Sequence, residues 1–320
     1  MYIYYSKKQI KSIWVLTKKT KNVKLNISFT GDSMFDRVYV EISNICNLNC
    51  SFCSGTARAP RMMSTEEFAL ICEKLLTHTH NLFFHVMGEP LLHPQLGELI
   101  DCAKRFDYRV HITTNGTLLP SVGNILLERA DTVSRVSISL HAPEGNSDVD
   151  EIDEYLDSAI AFGKAFSARG SYTVYRLWNL DSDSGDGLNS INGHIEAALR
   201  AAYPEEWKER YSGYRISENT FLEYDGVFVW PSQSHAEEEC RGTCLGLRRQ
   251  LAILADGTVV PCCLDSEGLI PLGNIFDEEL DSILERDPAR SIAEGFKSGF
   301  MLHPVCKKCS FARRFKKAKG

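Results

Sequence analysis

Between residues 37 and 178, apolar runs of strand length alternate with amphipathic stretches of helical length, and that alternation leaves few folds open to the chain. Each helix must hide one apolar stripe and each strand must find neighbours, so repeated strand-helix units assemble as a parallel sheet wrapped by helices. The strands expected are 37–43, 82–87, 109–114, 133–140 and 172–178, with helices at 64–76, 95–106, 120–130 and 150–168 between them. The first helix carries its own start signal, because Ser64 and Glu67 stand at capping-box spacing. At 320 residues the chain is longer than most single domains, but α/β barrels reach about 200–250 residues as one unit. The expected fold is therefore α/β, a partial (β/α)6 TIM-like barrel over 37–235, preceded by an N-terminal extension 1–36 and followed by a small cysteine-rich domain 236–320.

After residue 178 the composition shifts to Asp, Ser, Gly and Asn, which reads as a loop over the barrel mouth to residue 193. A helix at 195–202 and a two-stranded ribbon, 219–224 and 227–230 around Asp225-Gly226, are expected to lead out of the barrel, since Asp-Gly is a strong hairpin signal. The domain boundary is placed within 231–239.

The net charge of −6 and a pI of 5.9 argue against nucleic acid as a partner, which requires a basic face. Lysines 7 to 24 and the run Arg313, Arg314, Lys316, Lys317 and Lys319 make both ends locally basic, read as solvated ends. The apolar run 13–16 is too short for a secretory signal, and no stretch reaches membrane-spanning length. Eleven cysteines in a large chain without an export signal point to thiolate ligation rather than disulfides, and to the cytoplasm.

Three of those cysteines lie close together in Asn44-Ile-Cys46-Asn-Leu-Asn-Cys50-Ser-Phe52-Cys53. Iron-sulfur clusters are held by thiolates, and a cubane given only three leaves one iron open for chemistry. This loop, with an aromatic before its third cysteine, resembles the signature of the radical SAM enzymes. The resemblance implies that Cys46, Cys50 and Cys53 hold a 4Fe-4S cluster whose open iron binds S-adenosylmethionine and, with one electron, releases a 5'-deoxyadenosyl radical. A flavodoxin or ferredoxin would supply that electron.

Further segments are similar to the family's cofactor site. Met87-Gly88-Glu89-Pro90 follows the second strand where the family usually has Gly-Gly-Glu-Pro, so Met87 departs from the pattern. There the resemblance implies close backbone approach at Gly88 and a charge-assisted bond to Glu89. Asn115 ends the third strand in Thr-Asn-Gly, also an ordinary turn pair. Ser139 on the fourth strand, with Ser137 as its alternate on the same face, matches the serine that bonds the cofactor. Phe52 is implied near the adenine. His85 and His111 read as packing residues, whereas His141 is expected to face the cofactor, and Arg176 and Asn179 to contact cofactor or substrate.

Near the C-terminus, Cys244, twelve residues, Gly257, four residues and Cys262 resemble the opening of the SPASM and twitch extensions, and Cys306 and Cys309 supply a close pair after a helix expected at 277–285. Four thiolates close a second, auxiliary 4Fe-4S cluster. A four-cysteine zinc site is the alternative, and Cys240 could replace Cys244. No cysteine follows Cys309, so the extension resembles the truncated form with one cluster. Cys263 is either a hydrogen donor to a carbon radical or a small buried hydrophobe, which is the reading for Cys72 and Cys102.

The expected activity is hydrogen abstraction from a peptide or protein side chain. Alternatives are an aminocyclitol-like alcohol dehydrogenase of the same superfamily and a non-catalytic iron-sulfur or zinc regulatory protein.

Overall fold

A computed structural model describes residues 35–146, 152–180, 190–227, 229–231 and 240–315. The basic N-terminal segment, most of the mouth loop, most of the expected domain boundary and Lys316, Lys317 and Lys319 lie outside the described residues.

Strand and helix alternate as the sequence implies: β1 (Arg37–Val40), α1 (Thr65–Leu75), β2 (Asn81–Phe84), α2 (Leu96–Arg105), β3 (Arg109–Thr114), α3 (Leu119–Leu127), β4 (Val133–Ser139), α4 (Ile152–Ser167), β5 (Tyr172–Leu180) and α5 (Asn192–Ala202). The capping box forms as read: Ser64 Oγ accepts from Glu67 N at 3.2 Å, and Glu67 Oε2 accepts from Ser64 N at 2.9 Å.

The ribbon differs from expectation. Its strands are β6 (Lys208–Arg210), β7 (Gly213–Ser217) and β8 (Thr220–Gly226), and the reversal falls at Glu218-Asn219, where Asn219 takes φ +56°. Asn tolerates the left-handed region, so the turn forms before Asp225-Gly226 is reached. Strand β8 then pairs in parallel with β5 as the sixth barrel strand instead of leading away, and Asp225 accepts from Arg314 near the C-terminus at 2.6 Å.

The cysteine-rich region continues the same sheet. Strand β9 (Gln250–Ile253) pairs in parallel with β1, and β10 (Thr258–Val260) and β11 (Gly273–Asn274) add antiparallel strands outside it. Among the described residues eleven strands run β11-β10-β9-β1-β2-β3-β4-β5-β8-β7-β6, an open sheet and not a closed barrel. Helices α6 (Leu280–Glu285), α7 (Ala289–Lys297) and α8 (Pro304–Lys308) follow, α7 and α8 being unanticipated.

Strands of a parallel sheet covered on both faces are usually apolar throughout, whereas these alternate. Val38, Val40, Leu82, Phe84, Val110, Ile112, Val136, Ile138 and Leu222 are 0–1 % exposed and form the core beneath the helices with Phe68, Leu99, Leu126 and Phe166. The opposite face is polar and aromatic. Register pairing runs Tyr39, Phe83, His111, Arg135 in one row and Ser139, Arg176, Glu223 in another. That face lines the concave side of the sheet, where the cysteine loop sits at the strands' C-terminal ends.

Candidate active site

The loop after β1 carries the three cysteines, and each sulfur accepts a hydrogen bond. Leu48 N donates to Cys46 Sγ at 3.5 Å, Asn146 Nδ2 to Cys50 Sγ at 3.1 Å, and Gly55 N to Cys53 Sγ at 3.5 Å. Burial pushes the Cys46 and Cys50 thiols up, opposed by these N–H donors, so ionised sulfur there calls for a bound cation. N–H groups aimed at three sulfurs on one loop fit a thiolate-held cluster.

The sequence reading missed Asn146. It follows the short turn Ala142–Gly145 after β4, and besides reaching Cys50 its Oδ1 accepts from Asn49 N at 3.0 Å. Only its turn-like neighbourhood hinted at it. Asn146→Ala is expected to lower the reduction potential of a cluster at this loop, because hydrogen bonds to sulfur stabilise the reduced, more negative state; a redox titration against wild type checks the direction.

The other expected residues converge around the same loop. Gly88 takes φ +76°, and a Cβ there would lie 2.5 Å from Ser43 O and 2.8 Å from Ile45 O, so only glycine fits against the strand leading into the cysteines. The Glu89 carboxylate is turned inward. It accepts from Leu91 N at 3.0 Å and Asn115 N at 2.7 Å, splinting the ends of β2 and β3, and burial raises its pKa against these donors. Pro90 starts the short turn beside it. Asn115 Nδ2 reaches Asn47 Oδ1 at 3.0 Å and Cys46 Sγ at 3.9 Å. Tyr155, another unanticipated member, donates to Asn115 O at 2.8 Å and Ser139 O at 3.2 Å, joining the ends of β3 and β4. Ser139 is half-buried while its alternate Ser137 is buried.

His141 is buried with Nδ1 3.1 Å from Arg176 O, and its ring lies 5.1 Å from that of Phe52. Arg176 reaches Thr113 Oγ1 at 3.3 Å and stacks 4.2 Å from the Trp178 ring; burial pushes it down to about 10. Asn179 does not join the site, since it is buried and donates to Glu144 Oε2 at 2.7 Å.

His85 and His111 pack as expected, edge-on to Tyr39 at 5.1 Å and stacked on Phe83 at 4.3 Å respectively. Burial first, then nearby arginines, push them down to about 3 and about 4. Protonation is thus disfavoured in the fold, and the stability this represents is present above about pH 6.5 and lost as pH falls toward those values. The loss is about 1.4 kcal/mol per pH unit per histidine. Urea titrations between pH 6.5 and 5 should show a shallower decline in His85→Phe than in wild type.

The four distal cysteines, Cys244, Cys262, Cys306 and Cys309, line one apolar cavity with Pro231, Ile270 and Phe296. Burial drives the Cys262 thiol well above its ordinary value and raises Cys244 and Cys306. Thiols in such a setting ionise only against metal, so the cavity suits a cluster closed by four protein ligands. Cys240 is exposed and does not line it. Cys263 packs instead with the cluster of Tyr39, Phe83 and Trp230, burial pushing it up to about 11. Cys72 and Cys102 are buried, as read.

Fold and site together define an α/β enzyme with three cysteines on the loop after the first parallel strand and four more lining a cavity in the C-terminal module. The Radical SAM superfamily model matches residues 40–164 and the SPASM iron-sulfur cluster-binding domain matches residues 244–310. The chain is a radical SAM enzyme with a SPASM-type extension, and its cofactors are a 4Fe-4S cluster, S-adenosylmethionine and an auxiliary iron-sulfur cluster. It is 25% identical to GTP 3',8-cyclase of Limosilactobacillus fermentum over 77% of this chain and 84% of that protein. To the sporulation killing factor maturation protein SkfB of Bacillus subtilis it is 23% identical over 78% of this chain, spanning 64% of that protein. In fold it is similar to BtrN in complex with AdoMet and 2-DOIA (TM-score 0.53, 17% identity, 88% of this chain and 94% of that one). It is also similar to Streptococcus suis SuiB bound to precursor peptide SuiA (TM-score 0.53, 15% identity, 95% and 82%). Among the described residues no helix is long and apolar enough to cross a membrane.

Proposed function

We propose that this enzyme abstracts a hydrogen atom from a side chain of a peptide or protein. The observation that carries the reading is the open sheet: among the described residues its outer strands β6 and β11 do not pair, so the polar face is open at the side, as an extended substrate requires. Support comes from the likeness to a maturation protein and to SuiB with its precursor peptide.

In this reading Cys46, Cys50 and Cys53 hold the cluster, and Cys244, Cys262, Cys306 and Cys309 hold the auxiliary one. S-adenosylmethionine, when bound and reduced by one electron from a flavodoxin- or ferredoxin-type donor, supplies the 5'-deoxyadenosyl radical. Gly88 keeps backbone carbonyls close to the methionyl end, and Glu89 and Pro90 shape that turn. Asn115, Ser137, Ser139 and His141 line the ribose side, Phe52 packs near the adenine, and Arg176 offers its fork to a carboxylate. Cys263, packed with Tyr39, Phe83 and Trp230, is positioned to give a hydrogen atom to a substrate radical.

A second reading, oxidation of a small aminocyclitol-like alcohol, is supported by the likeness to BtrN in complex with AdoMet and 2-DOIA. Anaerobically reconstituted enzyme incubated with deuterated candidates separates the two. Deuterium in 5'-deoxyadenosine from a peptide supports the first reading, and deuterium only from a cyclitol overturns it.

A further inference from the structure

Glu41 lies at the end of β1, five residues before the first cysteine of the loop, and is fully buried. Both oxygens of its carboxylate are taken by one arginine: Arg58 Nη1 donates to Oε2 at 2.8 Å and Nη2 to Oε1 at 2.6 Å. Arg58 is itself five residues beyond Cys53, so the pair closes the base of the cysteine loop. The remaining acceptor sites go elsewhere. Met87 N, next to Gly88, donates to Oε1 at 3.1 Å, and Ala255 N, in the turn between β9 and β10, donates to Oε2 at 2.9 Å.

One buried carboxylate therefore joins three segments far apart in sequence: the loop's two flanks, the Gly88-Glu89 turn, and the C-terminal module. Arg58 makes a second tie to that module, its Nε donating to Ser266 O at 2.7 Å, while Ala57 N donates to Glu267 Oε2 at 3.2 Å and Arg61 Nε to Ala255 O at 2.7 Å. The flank after the third cysteine thus hangs on the module from residue 57 to residue 61.

A buried ion pair is costly to desolvate and is weak grounds for stability, so this arrangement needs another reason. Its geometry supplies one. A bidentate fork fixes direction as well as distance, and here it fixes the loop's exit relative to Ala255 and Ser266. We infer that Glu41 and Arg58 are positioning residues through which the C-terminal module sets the ligand geometry of Cys46, Cys50 and Cys53, making retention of the first cluster depend on the seating of the second site.

The inference rests on the cluster assignment to Cys46, Cys50 and Cys53, and the test separates the two. In holoenzyme carrying both clusters, the rate of iron release to a chelator and the change in the reduced cluster's EPR spectrum on adding S-adenosylmethionine are measured. Arg58→Ala is compared with Leu99→Ala, a core truncation in α2 remote from both sites, at temperatures giving equal fractional stability. Arg58→Ala should release first-site iron about tenfold faster than Leu99→Ala and lose the EPR response, with auxiliary iron kept. Arg58→Lys, which keeps the charge but not the fork, should lie between. Removing the auxiliary site with Cys262→Ala and Cys309→Ala should speed first-site release in wild type and add little in Arg58→Ala, the signature of one shared coupling. Equal release and an intact EPR response in Arg58→Ala and Leu99→Ala, or fully additive effects, would overturn the inference. Should Arg58→Ala not fold, Arg58→Lys and Glu267→Ala carry the same comparison. Wild type that binds no iron at Cys46, Cys50 and Cys53 sinks the site assignment instead.

Discussion

Alanine at Cys46, Cys50 or Cys53 is expected to remove about four irons per chain and all detectable 5'-deoxyadenosine, leaving the auxiliary cluster in place. Each of the three sulfurs accepts an N–H, from Leu48, Asn146 and Gly55, and no other described cysteine stands on that loop to substitute. With two thiolates the cubane is held too weakly to keep an iron open to S-adenosylmethionine. The complementary change, Cys262→Ala with Cys309→Ala, should also remove about four irons but leave some cofactor cleavage. Iron content and 5'-deoxyadenosine yield, read on the same samples, check both. Unchanged iron in the distal double variant would show that the cavity lined by those cysteines holds no cluster.

Gly88→Ala is the second change with a large expected effect. The glycine sits at φ +76°, and its Cβ would meet two backbone carbonyl oxygens, Ser43 O at 2.5 Å and Ile45 O at 2.8 Å. Backbone cannot swing aside as a side chain can, and both oxygens belong to the strand end that launches the cysteine loop. Strain of this kind costs about 1–3 kcal/mol before any clash is relieved. Relief must move either the Gly88-Glu89 turn or residues 43–45, so cofactor affinity should fall with stability. Gly170→Ala isolates the strain alone, because Gly170 also has positive φ (+87°) but nothing within 4 Å of its added Cβ. That variant should lose about 1 kcal/mol and keep its cofactor. Denaturant midpoints and equilibrium dialysis with S-adenosylmethionine distinguish the pair, and a Gly88→Ala protein as stable as Gly170→Ala would remove the steric argument.

Much of this was written locally. Strand β3 falls at 109–114 as read, because Val110 and Ile112 alternate with polar neighbours and each strand residue reports its own face. The helix at Thr65–Leu75 begins where Ser64 and Glu67 cap it, an interaction spanning three residues. The ribbon was misjudged for a physical reason. Asp225-Gly226 and Glu218-Asn219 both offer turn chemistry, and the choice between them depends on β8 finding β5, a partner more than forty residues earlier in the chain. Asn146 and Tyr155 were not legible because their roles lie across the fold, at Cys50 and at the ends of β3 and β4. Asn179 pointed the other way: polar and at a strand end, it turned out to be spent on Glu144.

Ligand chemistry and strand-helix periodicity are short-range properties, so the sequence by itself determined the closely spaced cysteine motifs, the α/β class and most of the succession of elements. Which cysteines share a cavity, which carboxylate faces inward, and that the C-terminal module extends the barrel's own sheet through β9 and β1 were decided only by the tertiary structure. These are choices among partners far apart in the chain. They are settled by where buried groups such as Glu41 and Glu89 can find their hydrogen bonds, and no local pattern records that.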